Sequence, residues 1–338
     1  MLFFLRDHAL NRLLQDCQVR VTRAQSKADL LEVLDRLEVF PGELEFDHAQ
    51  SILLLVMAFV SLITALLVDG MGGMVWVAVA CCIFSYYVKK GLSGSLTNLS
   101  AGIARKCALF SNGLSESDSS ADWCLTKLDS QFGDYRRGNE RRHIVTSAQG
   151  VYQDSRYSLA FEYHHLLYVN AVSERGASGF RTVYKSFDRY SLVLDFPWLK
   201  GISLQSDPLE MPLAGQHFKT DCDEFDRTFL LRSSDKTHFE SFATPATLSL
   251  LLDVSRLLNK VNLEFSSEGR LCLSFDNAEV FAHADPGPLS DLAAFRQRII
   301  AGVALPGLYP VLERMHRLAE LHGHPLDHPL VVTEKVTL

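Results

Sequence analysis

AQSILLLVMAFVSLITALLV, residues 49–68, runs straight into DGMGGM, residues 69–74, and then into a second apolar stretch ending at Tyr86-Tyr87-Val88. Each run is about 20 residues long, the length a helix needs to cross the roughly 30 Å hydrocarbon core of a bilayer. Between Asp47 and Lys89 the only Asp, Glu, Lys, Arg or His residues are His48 and Asp69. A transmembrane helical hairpin over 46–90 is therefore expected, with DGMGGM as its turn. Tyr86, Tyr87, Lys89 and Lys90 form an interfacial aromatic belt followed by cationic anchors. A buried hairpin of a large soluble domain is the competing reading, and it needs a covering shell that the flanking sequence hardly supplies.

Charge orients the hairpin. The turn has no Lys or Arg, whereas Arg36 precedes the first run and Lys89, Lys90, Arg105 and Lys106 follow the second. The positive-inside rule then puts both termini in the cytoplasm. MLFFLRDH, at the start, has too few apolar residues before Arg6 and Asp7 for the core of a cleavable signal.

The whole chain has 338 residues, a net charge of −7 and 47% hydrophobic residues, with the apolar excess concentrated in the hairpin. Its acidic balance argues against nucleic acid as a partner, because phosphate binding needs clustered positive charge. Seven cysteines without a C-x-x-C pair argue against a disulfide framework or a zinc ribbon.

Upstream, residues 1–45 read as an amphipathic helical arm. Leu5, Ala9, Leu10, Leu13, Leu14, Cys17 and Val21 recur at helical spacing, and a second helix starts at Ser26 with Asp29 in a capping box and carries Leu30, Leu31, Leu34 and Leu37. Leu10, Leu13, Leu14, Leu30 and Leu34 are the face expected to meet a partner helix, either of another protein or of a second copy. The mixed-sign polar face favours protein over lipid contact.

Downstream, residues 91–143 read as a linker and helical connection, with a helix near 102–110 and an exposed Ser/Asp-rich loop, SNGLSESDSSAD. In YRRGNERRH, Arg136, Arg137, Arg141 and Arg142 are candidates for an anion or lipid headgroup contact, against a solvated turn. From Ile144 the period changes to two. Tyr157, Leu159, Phe161, Tyr163, Leu167 and Val169 fall on one face, and Ser158, Glu162, His164 and Asn170 on the other, as in a half-buried strand. Further strands are expected at 180–187 and 190–196 with a turn at Asp188-Arg189, in GISLQ, in EFDRTFLLRS, in VNLEF and RLCLSF around a turn at Ser266–Gly269, and in VFAHA. Thr244-Pro245 caps a helix, and two closing helices are expected over 289–303 and 308–322. The fold class is an α+β membrane protein: N-terminal amphipathic helices, a transmembrane hairpin, a cytoplasmic antiparallel-sheet domain over 144–325 with closing helices, and a tail over 326–338.

"GISLQ…MPL", "DCDEFDRTFLLRSSD" (221–235), "FATPATLSLLLDVSRLL" and "VNLEFSSEGRLCLSF" follow one another between about Lys200 and Ala284. This order resembles the DUF3137 family of bacterial membrane proteins, with Glu224, Phe225, Phe229, Thr244, Pro245 and Gly269 carrying the likeness. The resemblance covers about a quarter of the chain, or about two thirds with the hairpin. It implies two transmembrane helices ahead of a cytoplasmic domain, in the bacterial inner membrane, and brings no established activity.

Among chemistry-bearing residues, His322, His324, Asp327 and His328 are of zinc-ligand type, but prolines and a glycine break the segment, which also reads as a capped helix end. His164 and His165 point to opposite faces of a strand. Asp221, Asp223, Glu224 and Asp226 lack calcium-loop spacing and read as the solvated face of a strand. There is no P-loop, G-x-S-x-G, H-E-x-x-H or dinucleotide motif. No catalytic residue and no cofactor is expected. The reading that follows is a membrane-anchored binding or scaffold protein, with the lipid bilayer and a protein or second copy as partners. A pore or transport component and a membrane-tethered metal hydrolase using the C-terminal histidines are the alternatives.

Overall fold

The computed structural model describes residues 2–46, 48–67, 73–117, 120–153, 158–176, 179–207, 213–282 and 287–323. Most of the DGMGGM turn, Tyr157, and His324, Asp327 and His328 lie outside them. In chain order the elements are α1 (Leu2–Arg23), α2 (Lys27–Glu38), α3 (Ala49–Leu67), α4 (Met74–Ser111), β1 (Ser115–Glu116), α5 (Ala121–Gln131), β2 (Arg141–Gln153), β3 (Ser158–Gly176) and β4 (Gly179–Asp195). There follow β5 (Ile202–Gln205), β6 (Gln216–Phe218), α6 (Asp223–Thr228), β7 (Leu230–Ser233), α7 (Lys236–Phe242), α8 (Pro245–Leu257), β8 (Asn262–Phe265), β9 (Arg270–Phe275), α9 (Leu292–Ala301) and α10 (Leu308–His322). The chain divides into a helical unit, 1–112 with 283–304, and a sheet unit, 113–282 with 305–338.

In the helical unit, α3 and α4 form an antiparallel pair. The residues they bury are small: Ser51, Ala58 and Ser61 on α3, Ala78 and Ser85 on α4. Small side chains let two helix backbones approach closely. Beyond the apolar half, α4 continues without a break to Ser111. The stretch GLSGSLTNLS is therefore helix and not linker. Leu99, Ile103, Ala104, Cys107 and Ala108 of α4 are buried, as are Leu10, Leu14, Cys17 and Val21 of α1, which packs along it. Tertiary burial thus overrides the weak helix propensity of Gly, Ser, Thr and Asn.

The α2 start carries the expected capping box, Ser26 taking the Asp29 N–H at 3.3 Å and Asp29 taking the Ser26 N–H at 3.0 Å. Lys106 is buried and donates to the Ala24 carbonyl at 3.1 Å. The first expected closing helix, found as α9, belongs to this unit: Arg296 bridges Asp35 at 2.6 Å and Glu38 at 3.2 Å, both on α2.

The sheet unit is built on nine antiparallel strands in the order β1-β2-β3-β4-β9-β8-β5-β7-β6. The α+β class with an antiparallel sheet is as expected. Several local expectations are corrected. β4 is unbroken across Asp188-Arg189, which pair with Leu167 and Leu166, and the chain reverses between Gly176 and Gly179. A polar pair in mid-strand resembles a turn, but here Arg189 is buried in an ion network.

Asp223–Thr228 is a helix and not the start of a strand. Asp223 and Glu224 sit in its first turn, where carboxylates favour the exposed N–H groups, and Asp226 accepts from the Thr220 N–H and hydroxyl at 3.0 and 2.9 Å. In place of the last expected strand, Ala278–Phe281 is a 3-10 turn. The Thr244 cap and Pro245 start of α8 occur as expected. So does the β8–β9 turn: Gly269 has φ +80°, and a Cβ there would sit 3.1 Å from the Pro197 backbone.

Candidate functional site

Two features of the structure are unlike an ordinary soluble domain. The first is the surface of the α3–α4 pair. Both helices are long and apolar enough to cross a membrane. A core helix of a soluble protein would be covered, yet only 17% and 12% of the respective apolar windows are buried. Phe59, Leu66, Leu67, Trp76 and Phe84 are each at least 63% exposed. Tyr86 and Tyr87 are exposed in an edge-to-face pair with ring centroids 5.9 Å apart, and the Lys90 ammonium lies 6.0 Å from the Tyr86 ring.

The second feature is a polar layer inside the sheet unit. Antiparallel partners project from the same face of a sheet. The pairings Ser147↔His164, His164↔Ser191, Ser191↔Ser274, Ser274↔Asn262 and Asn262↔Gln205 therefore line up six polar side chains across six neighbouring strands. A parallel row, two residues along, contains Gln149, Glu162, Val193, Cys272, Glu264 and Ser203. Period-two polarity in β3 predicts a solvated face, but His164, Ser191, Ser274, Asn262 and Gln205 are all buried. The cover is α5 with the 3-10 turn 133–136. Cys124, Leu128, Phe132 and Tyr135 from this segment share one core cluster with Ile144, Leu166, Val193 and Cys272 from the sheet.

Burying so many polar groups is tolerable only because they bond to one another. Asp134, on the turn, is 3% exposed and accepts from Arg137 at 2.6 Å, Arg189 at 3.0 Å and Asn262 at 2.8 Å. Burial works to raise its pKa, but the Arg189 and Arg137 guanidinium groups outweigh it and hold it well below the usual carboxylate range. Arg189 also reaches Asp276 at 2.7 Å and Ser274 at 2.9 Å. Tyr135 meets the Ser191 hydroxyl. Glu264 accepts the N–H groups of Gly133 and Asp134 at 2.7 and 2.8 Å; burial first, then the charge of Asp134, pushes its pKa up to about 7.

At the other end of the layer a chain of partners runs Arg270, Glu162, His164, then Ser147 and Cys124. Arg270 donates to Glu162 at 2.8 Å, and His164 Nε2 lies 3.2 Å from the other Glu162 oxygen. With Nε2–H given to the carboxylate, Nδ1 is the acceptor, shared by the Ser147 hydroxyl at 2.6 Å and the Cys124 thiol at 3.8 Å. This tautomer is assigned from the partners. The His164 bond, more than the Arg270 charge, brings the Glu162 pKa down to about 2 against the effect of burial. Burial, the largest single influence on each, raises the Cys124 pKa and lowers that of His164; their mutual bond and charges, joined by the Ser147 bond for the thiol and by Glu162 for the imidazole, together outweigh it, so the thiol shifts down and the imidazole up. A cavity of about 420 Å³ adjoins this end, with Gln149, Glu162, Val193, Asp195 and Arg270 in its wall.

The residues singled out from sequence fare unevenly. Leu10, Leu14, Leu30 and Leu34 are at most 2% exposed and Leu13 is partly buried, so the face expected for a partner helix is used within the helical unit. Arg137 is buried on Asp134, and Arg136 and Arg142 both pair with Asp129, at 3.1 and 2.8 Å. Arg141 is exposed. Arg142 on β2 thus ties the 129–137 segment to the sheet through Asp129, while Arg136 and Arg137 pair with acidic groups inside that segment. His322 lies 2.9 Å from the Thr247 hydroxyl and stacks on Phe242, and burial lowers its pKa. His324 and His328 lie outside the described residues. His164 and His165 do face opposite ways, His165 bonding Asp188 at 2.7 Å.

No protein-family model matches the chain, and neither a curated protein nor a solved structure shows significant similarity to it.

Proposed function

We propose that this chain is a two-pass protein of the bacterial inner membrane, related to the DUF3137 proteins, whose α3–α4 hairpin tethers a cytoplasmic binding or scaffold module. One observation carries this reading: a helical pair, uncharged over residues 49–67 and 74–88 and long and apolar enough to span a bilayer, whose large apolar side chains are mostly exposed. In water such a surface is a liability, and in lipid it is the expected exterior. The charge bias around Lys89, Lys90 and Arg105 supports cytoplasmic termini.

The module's partner is a protein or a second copy, not nucleic acid. The burial of the α1 and α2 apolar faces moves the recognition surface to the sheet unit. There the β3–β4 ribbon extends past its pairing with β2 and β9 and exposes Phe180 and Tyr184, at 77% and 63%. Such aromatic side chains are enriched at protein interfaces.

Carbonate extraction of membranes, combined with thiol labelling of a Gly73→Cys variant lacking Cys81 and Cys82, tests the reading. The protein is expected to stay in the pellet, and position 73 to react with an impermeant reagent from outside the cell. Release into the supernatant overturns the anchor; labelling only after lysis overturns the orientation.

A further inference from the structure

Among the described cysteines, the buried thiols differ sharply in surroundings. Cys17 and Cys272 are shifted upward, chiefly by burial, to about 11 and well above the ordinary value. Cys107 has only a carbonyl and a hydroxyl nearby, at 3.6 Å each. Cys124 alone stands at the end of a base and carboxylate. Its Sγ is 3.8 Å from His164 Nδ1 and 4.0 Å from the Ser147 hydroxyl, and His164 is braced through Nε2 by Glu162, which Arg270 holds in turn. A thiol facing an imidazole, with a third group orienting the imidazole, is the arrangement that turns a cysteine into a nucleophile.

The donors of Cys124, Glu162 and His164 lie within 4.8 Å of one another, the spacing of a metal site. In the contacts as they stand the thiol meets Nδ1 and the carboxylate Nε2, so hydrogen bonds engage both ring nitrogens and a metal ion would have to displace one of them. Access also narrows the chemistry. Cys124 is 5% exposed and His164 1%, so a bulky substrate is shut out. A cavity of about 420 Å³ has Glu162 and Arg270 in its wall, so the carboxylate that braces His164 is the member of the cluster that meets it.

We infer that Cys124 is a redox-reactive thiol, activated by the His164–Glu162 pair, which hydrogen peroxide oxidises to a sulfenic acid. The thiolate sulfur attacks one peroxide oxygen, the S–O bond forms as the O–O bond breaks, and the departing hydroxide takes the proton of the His164 imidazolium. Cys124 becomes Cys–SOH, the peroxide is reduced to water, and His164 is left neutral. Glu162, positioned by Arg270, keeps the ring aligned and stabilises its charged form. The other ionisable groups facing this line are Lys127 from α5, Tyr135 from the 133–136 turn and Cys272 from β9. The cluster lies wholly within the sheet unit, so the inference stands apart from the membrane reading.

Purified full-length protein in detergent, exposed to hydrogen peroxide for timed intervals, freed of it with catalase, then unfolded in the presence of dimedone and read by peptide mass spectrometry, tests it. Cys124 is expected to label at least roughly tenfold faster than Cys17, Cys107 and Cys272, and Glu162→Gln and His164→Gln each to slow it by about tenfold, with the pH midpoint of reactivity moving up. Labelling no faster than at the three other thiols, or insensitive to both substitutions, overturns the inference. So does stoichiometric zinc that is lost in Cys124→Ser. Should His164→Gln fail to fold, Glu162→Gln, at the cavity wall, carries the comparison alone.

Discussion

Ser51 on α3 and Ser85 on α4 face each other, each hydroxyl within hydrogen-bonding reach of the other's backbone carbonyl, at 3.3 and 3.0 Å. Both are buried, and the other buried residues among those described in α3 and in the apolar half of α4 are Ala58, Ser61 and Ala78. Polar links of this kind between membrane helices are worth about 0.6 kcal/mol on average and seldom exceed about 2. Ser51→Ala with Ser85→Ala is expected to lower the thermal midpoint in detergent by only a few degrees, whereas Ser85→Leu, which wedges the helices apart, lowers it much further. A melt of the three proteins side by side gives the comparison.

In the proposed two-pass arrangement, orientation depends on the charges after the second apolar run. Lys89→Glu with Lys90→Glu removes the cationic flank without touching the apolar runs. A substantial inverted fraction is expected, read from a C-terminal reporter active on only one side of the membrane, while the total membrane-bound amount stays unchanged.

The buried ion network makes Asp134 and Arg189 interdependent. Arg189→Met leaves a carboxylate buried with one guanidinium in place of two, and the expected loss is about 3 to 5 kcal/mol, seen as faster hydrogen exchange in β3, β4 and β9. The Asp134 pKa is depressed in the folded state, so its contribution is present above the ordinary carboxylate range and is lost as the pH falls below it. Asp134→Asn is expected to flatten that acid-side loss.

Glu264 has the opposite sign. Its pKa is raised from 4.5 to about 7, so the folded state holds the proton more tightly than the unfolded chain. Stability is then expected to fall as the pH rises from about 4.5 to about 7, by about 3 kcal/mol at most. Glu264→Gln removes this slope, and denaturation at pH 5 and pH 8 measures it.

His322 is expected to behave as a packing residue. His322→Ala takes away the Thr247 bond and the Phe242 stack, costing about 1 to 2 kcal/mol. Calorimetry checks the stability loss, and metal analysis of the same samples is expected to show no difference from the unsubstituted protein.

Features set by short-range rules were legible in the residues themselves. Ser26 with Asp29, Thr244 with Pro245, and Gly269 at positive φ are decided by neighbours a few positions away, and the two apolar runs announce themselves by length. Misreadings arose where distant contacts decide. GLSGSLTNLS is helical because α1 covers the buried face of α4, and Arg189 lies in mid-strand because Asp134, 55 positions earlier, holds it. The polar layer was hidden for the same reason. Ser147, His164, Ser191, Ser274 and Asn262 each look solvent-facing within their own strand, and only the register of five strands puts them in one row beneath α5. Cys124 carries no local signal at all, since its base is 40 residues away.

The unbroken course of α4 has a mechanical consequence. At 1.5 Å per residue its 38 residues measure about 57 Å, almost twice the thickness of a hydrocarbon core. The greasy half and the half that α1 grips are thus one stiff rod with no joint between them. With its greasy half in a bilayer, as proposed, a change in lipid thickness that tilts the upper end would swing the lower end through the same angle, taking the α1 helix with it. The anchor would then double as a lever, and bilayer composition would become a force the N-terminal helices feel.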